Sequence, residues 1–556
     1  SGITTFTNAS KLIVDGGATL TIATALDNKA GGRVTNAGTF NALVDTNAGR
    51  IINRGIWNGN LVNEGRLSNS GTWNGAVTNT GKVKLTGTID GPVTNSGTIS
   101  VEGTTASTGA FTNSGTIDLA NGAAGDTLTV KGGLVAAAGS TVLVDVDLVA
   151  NGDITDGKSD TIVVTDGVSG ATTTVTFTKQ SPGTLGFYSD ILVIKGANAG
   201  ATFTATGLPA AGGIVDYSFE RIADGWGVVS KLNGQAVGAT AAGITASITA
   251  ITTGFAEPTS AFITGPADPK QDQIALGIWA RTKAGRYLVD SDTSASGRNS
   301  ASRFESQFMG VQAGVDGGMF DIGGSGINAH LGLTAGSVKV YNRDNLSATT
   351  SRSEVEAPFF GLYGALTGHG FFADVQVQRN FYDIRVTNYV GGLRGEKVGG
   401  QGYSALATAG KVFPIGEKWF IEPSLGLSYA YIDVGGVPIA TIGSLQLDRL
   451  ESLIGSARLR VGTAYGLTPD VILRPSVQAS WWQEFAGNAT ALFTPTNMAA
   501  QPVPISTDRV GGFGQLGVSI AAQQVSTGLV GFIRADYRYG EKISGGSITT
   551  GLRYTF

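Results

Sequence analysis

Two hydrophobic periods divide this chain. From about residue 272 to the end, apolar and polar side chains alternate, the pattern of strands with two different faces. In 371–378 the positions Phe371, Ala373, Val375 and Val377 oppose Asp374, Gln376 and Gln378. In 529–539 Leu529, Ile533, Ala535, Tyr537 and Tyr539 oppose Arg534, Asp536 and Arg538, and in 453–461 Leu453, Leu459 and Val461 oppose Ser456, Arg458 and Arg460. Twelve such strands with their turns are predicted, near 274–289, 303–318, 326–341, 354–368, 370–390, 396–413, 419–433, 447–465, 471–485, 511–524, 527–539 and 545–556. Most exceed the ~5–6 residues of ordinary soluble strands. Charges of both signs occupy the polar set. The apolar set is therefore assigned to the outside of a closed antiparallel barrel, and Arg458, Arg460, Arg474, Arg534, Asp536, Arg538 and Arg553 to its lumen. Trp279, Trp419, Trp481 and Tyr537 lie towards strand ends with Tyr287, Tyr431, Trp482 and Tyr539, and are expected to form interfacial girdles. A soluble β-sandwich is the competing arrangement.

The first part of the chain repeats at a longer period. Asn-x-Gly recurs at Asn36, Asn53, Asn63, Asn69, Asn79, Asn95 and Asn113, and Gly55-Ile-Trp57-Asn-Gly59 is echoed 16 residues later by Gly71-Thr-Trp73-Asn-Gly75. A period of 16–18 is too short for helical-hairpin repeats and suits the rungs of a β-solenoid. Asn and Gly are expected where the coil turns with φ > 0, with Val, Ile, Leu and Trp filling the bore. A low-complexity disordered tract is the alternative. Residues 118–232 lose the strict repeat but keep strands, as a cap on the last rung requires. The acids there (Asp145, Asp147, Asp153, Asp156, Asp160 and Asp166) are expected to be solvated turn residues; a calcium site is conceivable, but the Gly-Gly-x-Gly-x-Asp repeat is absent.

Between these regions Val237, Ala241, Ile244, Ile248, Ile251 and Phe255 are spaced 4, 3, 4, 3 and 4, one stripe of a helix. Ala, Gly, Thr and Ser fill the rest, so the helix is slim on every side and of mediocre propensity. Pro258, Pro266 and Pro269 follow. Twelve strands ~4.7 Å apart and tilted ~40° close on a bore about 10–12 Å wide, which admits one slim helix. A helix of ~21 residues is about 32 Å long, close to the hydrocarbon thickness. A helix threading the barrel is predicted, with a plain linker as the alternative.

Composition narrows the chemistry. Of 556 residues 84 are Gly, twice the usual share of ~7%, and none is Cys. Disulfide scaffolds, zinc-thiolate sites and Cys nucleophiles are excluded. With only His330 and His369, a His-based triad or multi-His metal site is not expected, and a net charge of −4 gives no footprint for nucleic acid. The Gly512–Gly517 match to G-x-G-x-x-G lies in an alternating strand with no helix after it, so no nucleotide site is assigned. No catalytic residue, metal or cofactor is expected. No run of 18 apolar residues exists, which excludes transmembrane helices and leaves a barrel open. The chain starts at Ser1 without a basic-then-apolar leader and is expected to be a processed or truncated product.

In the last strand Phe556, Tyr554, Leu552 and Ile548 alternate on one face. This is similar to the C-terminal signal of bacterial outer-membrane proteins. Together with the repeats, the helix and the twelve strands in that order, the chain resembles the autotransporter family, the monomeric class of type V secretion. The resemblance implies four regions: a passenger stem in 1–117, an autochaperone-like cap in 118–232, a barrel-threading helix and Pro-containing turn in 233–271, and a translocator barrel in 272–556. It implies an all-β fold, with a right-handed parallel β-helix before the twelve-stranded transmembrane barrel, and a passenger displayed outside. Expected partners are outer-membrane lipid and, during biogenesis, the barrel-assembly machinery and periplasmic chaperones, with the protein a monomer. Self-cleaving members cut at an Asn or Asp in the helix; Gln235–Ala256 holds neither, so the passenger is expected to stay attached or to be released only by another protease. A channel with a periplasmic β-rich domain and an enzyme-bearing autotransporter lacking its head are the competing functions. The passenger's ligand is not legible.

Overall fold

The computed structural model describes residues 5–556 except 108, 149–157, 180–185, 188–189, 210–213, 256–268, 296, 346–350, 390–392, 440–442 and 497–501. Asp153, Asp156, Pro258 and Pro266 lie outside the described residues. The chain separates into two compact units, residues 1–211 with 215–231, and 212–214 with 232–556.

The first unit is a parallel β-helix. Each regular rung contributes three short strands, as in Ile56–Asn58, Leu61–Asn63 and Arg66–Asn69. Each pairs in parallel with its equivalent 16 residues on: Trp57 with Trp73, Leu61 with Val77, and Leu67 with Val83. Inward residues fill the bore, and Trp57 stacks on Trp73 with centroids 4.6 Å apart. The parallel coil continues past residue 118, where Thr127–Val130 pairs with Thr161–Val164 and Thr141–Asp147 with Thr173–Lys179. It closes on Gly225–Leu232, which runs antiparallel to Ile191–Lys195.

The Asn-x-Gly repeat has a different physical basis from the turn conformation expected of it. None of these asparagines has positive φ. Asn28, Asn47, Asn63, Asn79 and Asn95 end successive strands with buried side chains, and their amides bond from rung to rung at 2.6–2.7 Å. Burying an amide costs free energy unless it is bonded, and a ladder satisfies each with the next. The glycines serve close stacking: a Cβ on Gly65 or Gly81 would lie 2.3 Å from the carbonyl oxygen of Gly49 or Gly65 one rung before.

Two of the acids after residue 118 also differ from expectation, while Asp166 is exposed as predicted. Asp145 and Asp160 are fully buried, not solvated. Asp160 accepts the backbone N–H groups of Gly125, Asp126 and Asp145 at 2.9, 3.0 and 2.7 Å, and Asp145 accepts that of Gly122 at 2.7 Å. Here the coil leaves its regular period, and carboxylates replace the missing strand partners. Burial pushes the Asp160 carboxyl up to about 6, against the pull of its three amide donors.

The second unit is a closed antiparallel barrel. Its twelve strands are β1 (Gln273–Ala295), β2 (Arg298–Phe320), β3 (Ile327–Asp344), β4 (Arg352–Gly368), β5 (Phe371–Asn388), β6 (Leu393–Lys411), β7 (Trp419–Val434), β8 (Leu450–Thr463), β9 (Val471–Glu484), β10 (Gly512–Gln524), β11 (Leu529–Gly540) and β12 (Ile543–Thr555). Shorter segments extend β6 to β10 at their ends. Strand β1 pairs with β12 from Gly277–Thr555 to Val289–Ile543, which closes the sheet. Alternation is as the sequence predicts: Ile274, Ile278, Leu331, Leu425 and Leu552 are exposed outside, while Arg281, Lys283, Gln312 and Arg538 are buried inside.

Two predictions follow from the first unit. Replacing Asn63 by Ala removes partners of both Asn47 and Asn79 and should cost about 2 kcal/mol. The end-of-ladder change Asn8→Ala should cost less, both read by urea unfolding of the first unit followed through Trp57 and Trp73 fluorescence. Because the folded Asp160 carboxyl titrates above its unfolded value, ionising it opposes folding. Stability of this unit should therefore fall by ~3 kcal/mol as pH rises from about 3 to about 7. The same unfolding series on Asp160→Asn should show that slope flattened.

Candidate functional site

A single helix, α1 (Gly234–Gly254), occupies the barrel bore. Val237, Ala241, Ile244, Ile248, Ile251 and Phe255 are all buried, but so are Ala239, Thr240, Ala242, Ser247 and Thr249 on the other faces. The stripe is not an amphipathic seam, because the wall encloses the helix all round. Several side-chain hydroxyls are satisfied within it: Thr245 donates to the Ala241 carbonyl at 3.0 Å, Ser247 to Gly243 at 3.0 Å and Thr253 to Thr249 at 2.8 Å. Such back-bonding lets polar residues sit against a wall without water. Gly238 is required by proximity, since a Cβ there would lie 2.7 Å from Cγ2 of Thr293.

The barrel grips the helix at two levels. Midway, the Nδ2 of Asn342 on β3 lies 2.7 Å from the Gly243 carbonyl oxygen and 2.6 Å from Oγ of Ser247. At the C-terminal end, Arg538 on β11 donates to Oγ1 of Thr253 at 2.8 Å and to its carbonyl at 3.4 Å. Arg281 on β1 donates to the Phe255 carbonyl at 3.1 Å and lies over its ring. Cations at a helix C-terminus satisfy the last carbonyls and complement the dipole. Each guanidinium is itself held: Arg281 donates to Gln312 at 2.8 Å, and Arg538 to Gln515 at 2.9 Å.

A second buried network lies beside the seam. Arg553 on β12 makes two bonds to Asp316 on β2, at 2.6 and 2.8 Å, and Tyr363 donates to Asp316 at 2.5 Å. His330 lies 3.1 Å from the same carboxylate, and Trp279 donates to the Tyr363 hydroxyl at 2.6 Å.

Trp279 is thus a lumen residue, 4% exposed, and not part of an interfacial girdle. Tyr287 and Trp482 are also buried inside, whereas Trp419, Trp481 and Tyr537 are exposed on the outer face. Trp279 shares its parity with Arg281 and Lys283, and the indole N–H finds in the bore a partner that lipid lacks. Of the arginines assigned to the lumen, Arg538 touches the helix. Arg553 binds Asp316, Arg534 pairs with Asp536 at 2.6 Å, Arg460 pairs with Glu422, and Arg458 lies over Trp482. Arg474 is exposed on the register of the inward face of β9. Ile548, Leu552, Tyr554 and Phe556 are exposed on the outer face, and Phe556 exchanges backbone bonds with Leu276 of β1 at 2.8 and 2.9 Å. His369 holds the β4–β5 turn with φ 53° and bonds the Ser325 carbonyl at 2.9 Å. Gly512–Gly517 is plain strand, where Gly514 makes room for Tyr539 and Gly517 for Asp536.

Arg281 and Asn342 were not singled out by the sequence. Both lie on the polar parity of their strands, a signal shared with many lumen residues, and their partners are distant in sequence: Phe255, just after α1, is 26 positions from Arg281, and Gly243 and Ser247 on α1 are 99 and 95 from Asn342.

Removing both C-terminal clamps (Arg281→Ala with Arg538→Ala) should free the helix end without unfolding the wall. Planar-bilayer recordings should then show conductance several-fold above the low level of the parent barrel.

Residues 278–531 match the family model for the autotransporter beta-domain. The chain is 28% identical over 254 residues to the pertactin autotransporter of Bordetella bronchiseptica, covering 45% of this chain and 25% of that protein. It is 24% identical over 288 residues to the probable autotransporter YcgV of Escherichia coli, covering 50% and 27%. The chain therefore spans about a quarter of the length of these curated relatives. Among solved structures, the beta domain of the Bordetella autotransporter BrkA aligns at 20% identity, covering 50% of this chain and 99% of that one, with a TM-score of 0.40. The family match, the closed twelve-stranded wall and the apolar outer face together make the C-terminal part of this chain similar to the β-domain of autotransporters and suited to the outer membrane as a barrel.

Proposed function

We propose that the protein exports its own N-terminal β-helix and displays it, still attached, on the cell surface, where it acts as an adhesin-like passenger. One observation carries this reading. Gly238, near the start of α1, packs against Thr293 towards the end of β1, while Gly277 and Thr555 pair at the opposite end of the barrel. The chain ahead of the helix thus leaves the bore by the mouth opposite Phe556. With the strand termini on the periplasmic side, that mouth faces out.

Physical chemistry supports export without a nucleotide. Each rung that forms outside pairs its backbone with the previous one and buries Val, Leu or Trp, so folding biases the chain against return. The irregular rungs after residue 118 would form first, nearest the membrane in sequence, and give later rungs an edge. In this reading the barrel-assembly machinery and periplasmic chaperones deliver the barrel, it works as a monomer in outer-membrane lipid, and no catalytic step or cofactor is involved. Retention is supported by the absence of Asn and Asp from Gln235 to Ala256.

Protease shaving of intact Gram-negative cells producing the protein tests this. Untreated cells should yield one uncut species; treated cells should lose epitopes within 1–230 and keep a barrel fragment of about 30 kDa, the membrane-protected part. An N-terminal unit that survives until the cells are opened would assign it to the periplasm and make α1 the plug of a channel.

A further inference from the structure

The β-helix carries a column of like charge. Lys11, Arg33, Arg50, Arg66 and Lys82 occupy the same register position on five successive rungs of one sheet. All five are exposed, and they are five of the eight Lys and Arg in residues 1–117. Parallel rungs are ~4.8 Å apart, so the column is about 19 Å long. Like charges directly opposite one another destabilise a sheet. The other columns of this sheet avoid them, and the cation column itself continues as Thr98 and Thr116. Among the described residues the ion pairs of this region fall elsewhere, Lys29 with Asp27 and Lys84 with Glu102, leaving the five without an acidic partner.

Beside the column runs a groove of about 600 Å³, lined by Arg33, Arg50, Arg66 and Lys82 and holding one carboxylate, Glu64. The stacked glycines Gly49, Gly65 and Gly81 also line it, so backbone shares its surface with the cationic side chains. No aromatic side chain lines it, and a single-stranded nucleic acid would find no stacking platform. Arginine forks match planar or tetrahedral oxyanions bidentately.

We propose that this groove docks a linear sulfated polysaccharide along the coil axis, its sulfates neutralising one cation per rung. The inference deepens the adhesin-like part of the function above, but the binding step needs no export and is tested without it. Full-length protein in detergent micelles would be titrated with heparin, with chemically desulfated heparin and with DNA, across a series of NaCl concentrations. The column variant is Arg50→Thr with Arg66→Thr and Lys82→Thr, a residue the same column already accepts at Thr98 and Thr116. A control of equal charge change outside it is Lys29→Thr with Arg54→Thr and Lys84→Thr. Heparin affinity should fall at least about tenfold in the column variant and less than about twofold in the control. The salt slope should be shallower by about 2–3 in the column variant, as fewer counterions are released. Circular dichroism would verify that both variants are folded. Absence of heparin binding, equal losses in the two variants, or desulfated heparin or DNA bound as tightly as heparin would overturn the assignment.

Discussion

An open strand edge is the constraint on which this protein rests. Backbone N–H and C=O groups left unpaired are costly in lipid, where no water replaces the partner, and they invite foreign pairing in water. The barrel meets the constraint by closure. Phe556 and Leu276 exchange backbone bonds at one end of the seam, and thirteen residue pairs continue it to Val289 and Ile543. The buried Arg553–Asp316 pair reaches across β1 to tie β12 to β2, so the closing strand is held through side chains as well as backbone. The β-helix meets the same constraint by repetition, each rung covering the edge of the one before.

Closure in turn creates the bore, and the bore dictates the helix. A wall that turns its apolar side outward must turn its polar side in, and those groups need partners. Arg281, Asn342 and Arg538 find them on the helix backbone and hydroxyls, while Asp316, Arg553 and Tyr363 find them on one another. A helix bulky on every face would not fit; one rich in Ala, Gly, Ser and Thr, with its Val and Ile confined to one stripe, brings its own carbonyls within reach of the wall. The poor helical propensity of α1 is therefore offset by its surroundings.

Strand number, face assignment and the helix were legible because each is a period, and periods survive in a single sequence. What a period does not carry is the identity of the partner. Trp279 looked like a girdle residue from its place near a strand end, although its parity with Arg281 and Lys283 put it inside. The asparagines looked like turn residues because Asn and Gly so often are; only stacking reveals that each amide faces the same amide one rung away. Buried Asp145 and Asp160 were illegible for a related reason, since their partners are backbone amides, which every residue has.

The asparagine column also has a direction. From Asn8 to Asn113 every Nδ2 donates to the Oδ1 of the following rung, and Asn36, Asn53 and Asn69 repeat that sense. On the outer surface Asn74 donates back to Asn58 and Asn58 to Asn41, the reverse order. Rows of aligned amides polarise one another and add their dipoles. The interior of the coil is thus electrically vectorial along its axis, with a countercurrent on its surface, and its two ends are chemically unlike: one offers an acceptor to the next rung, the other a donor.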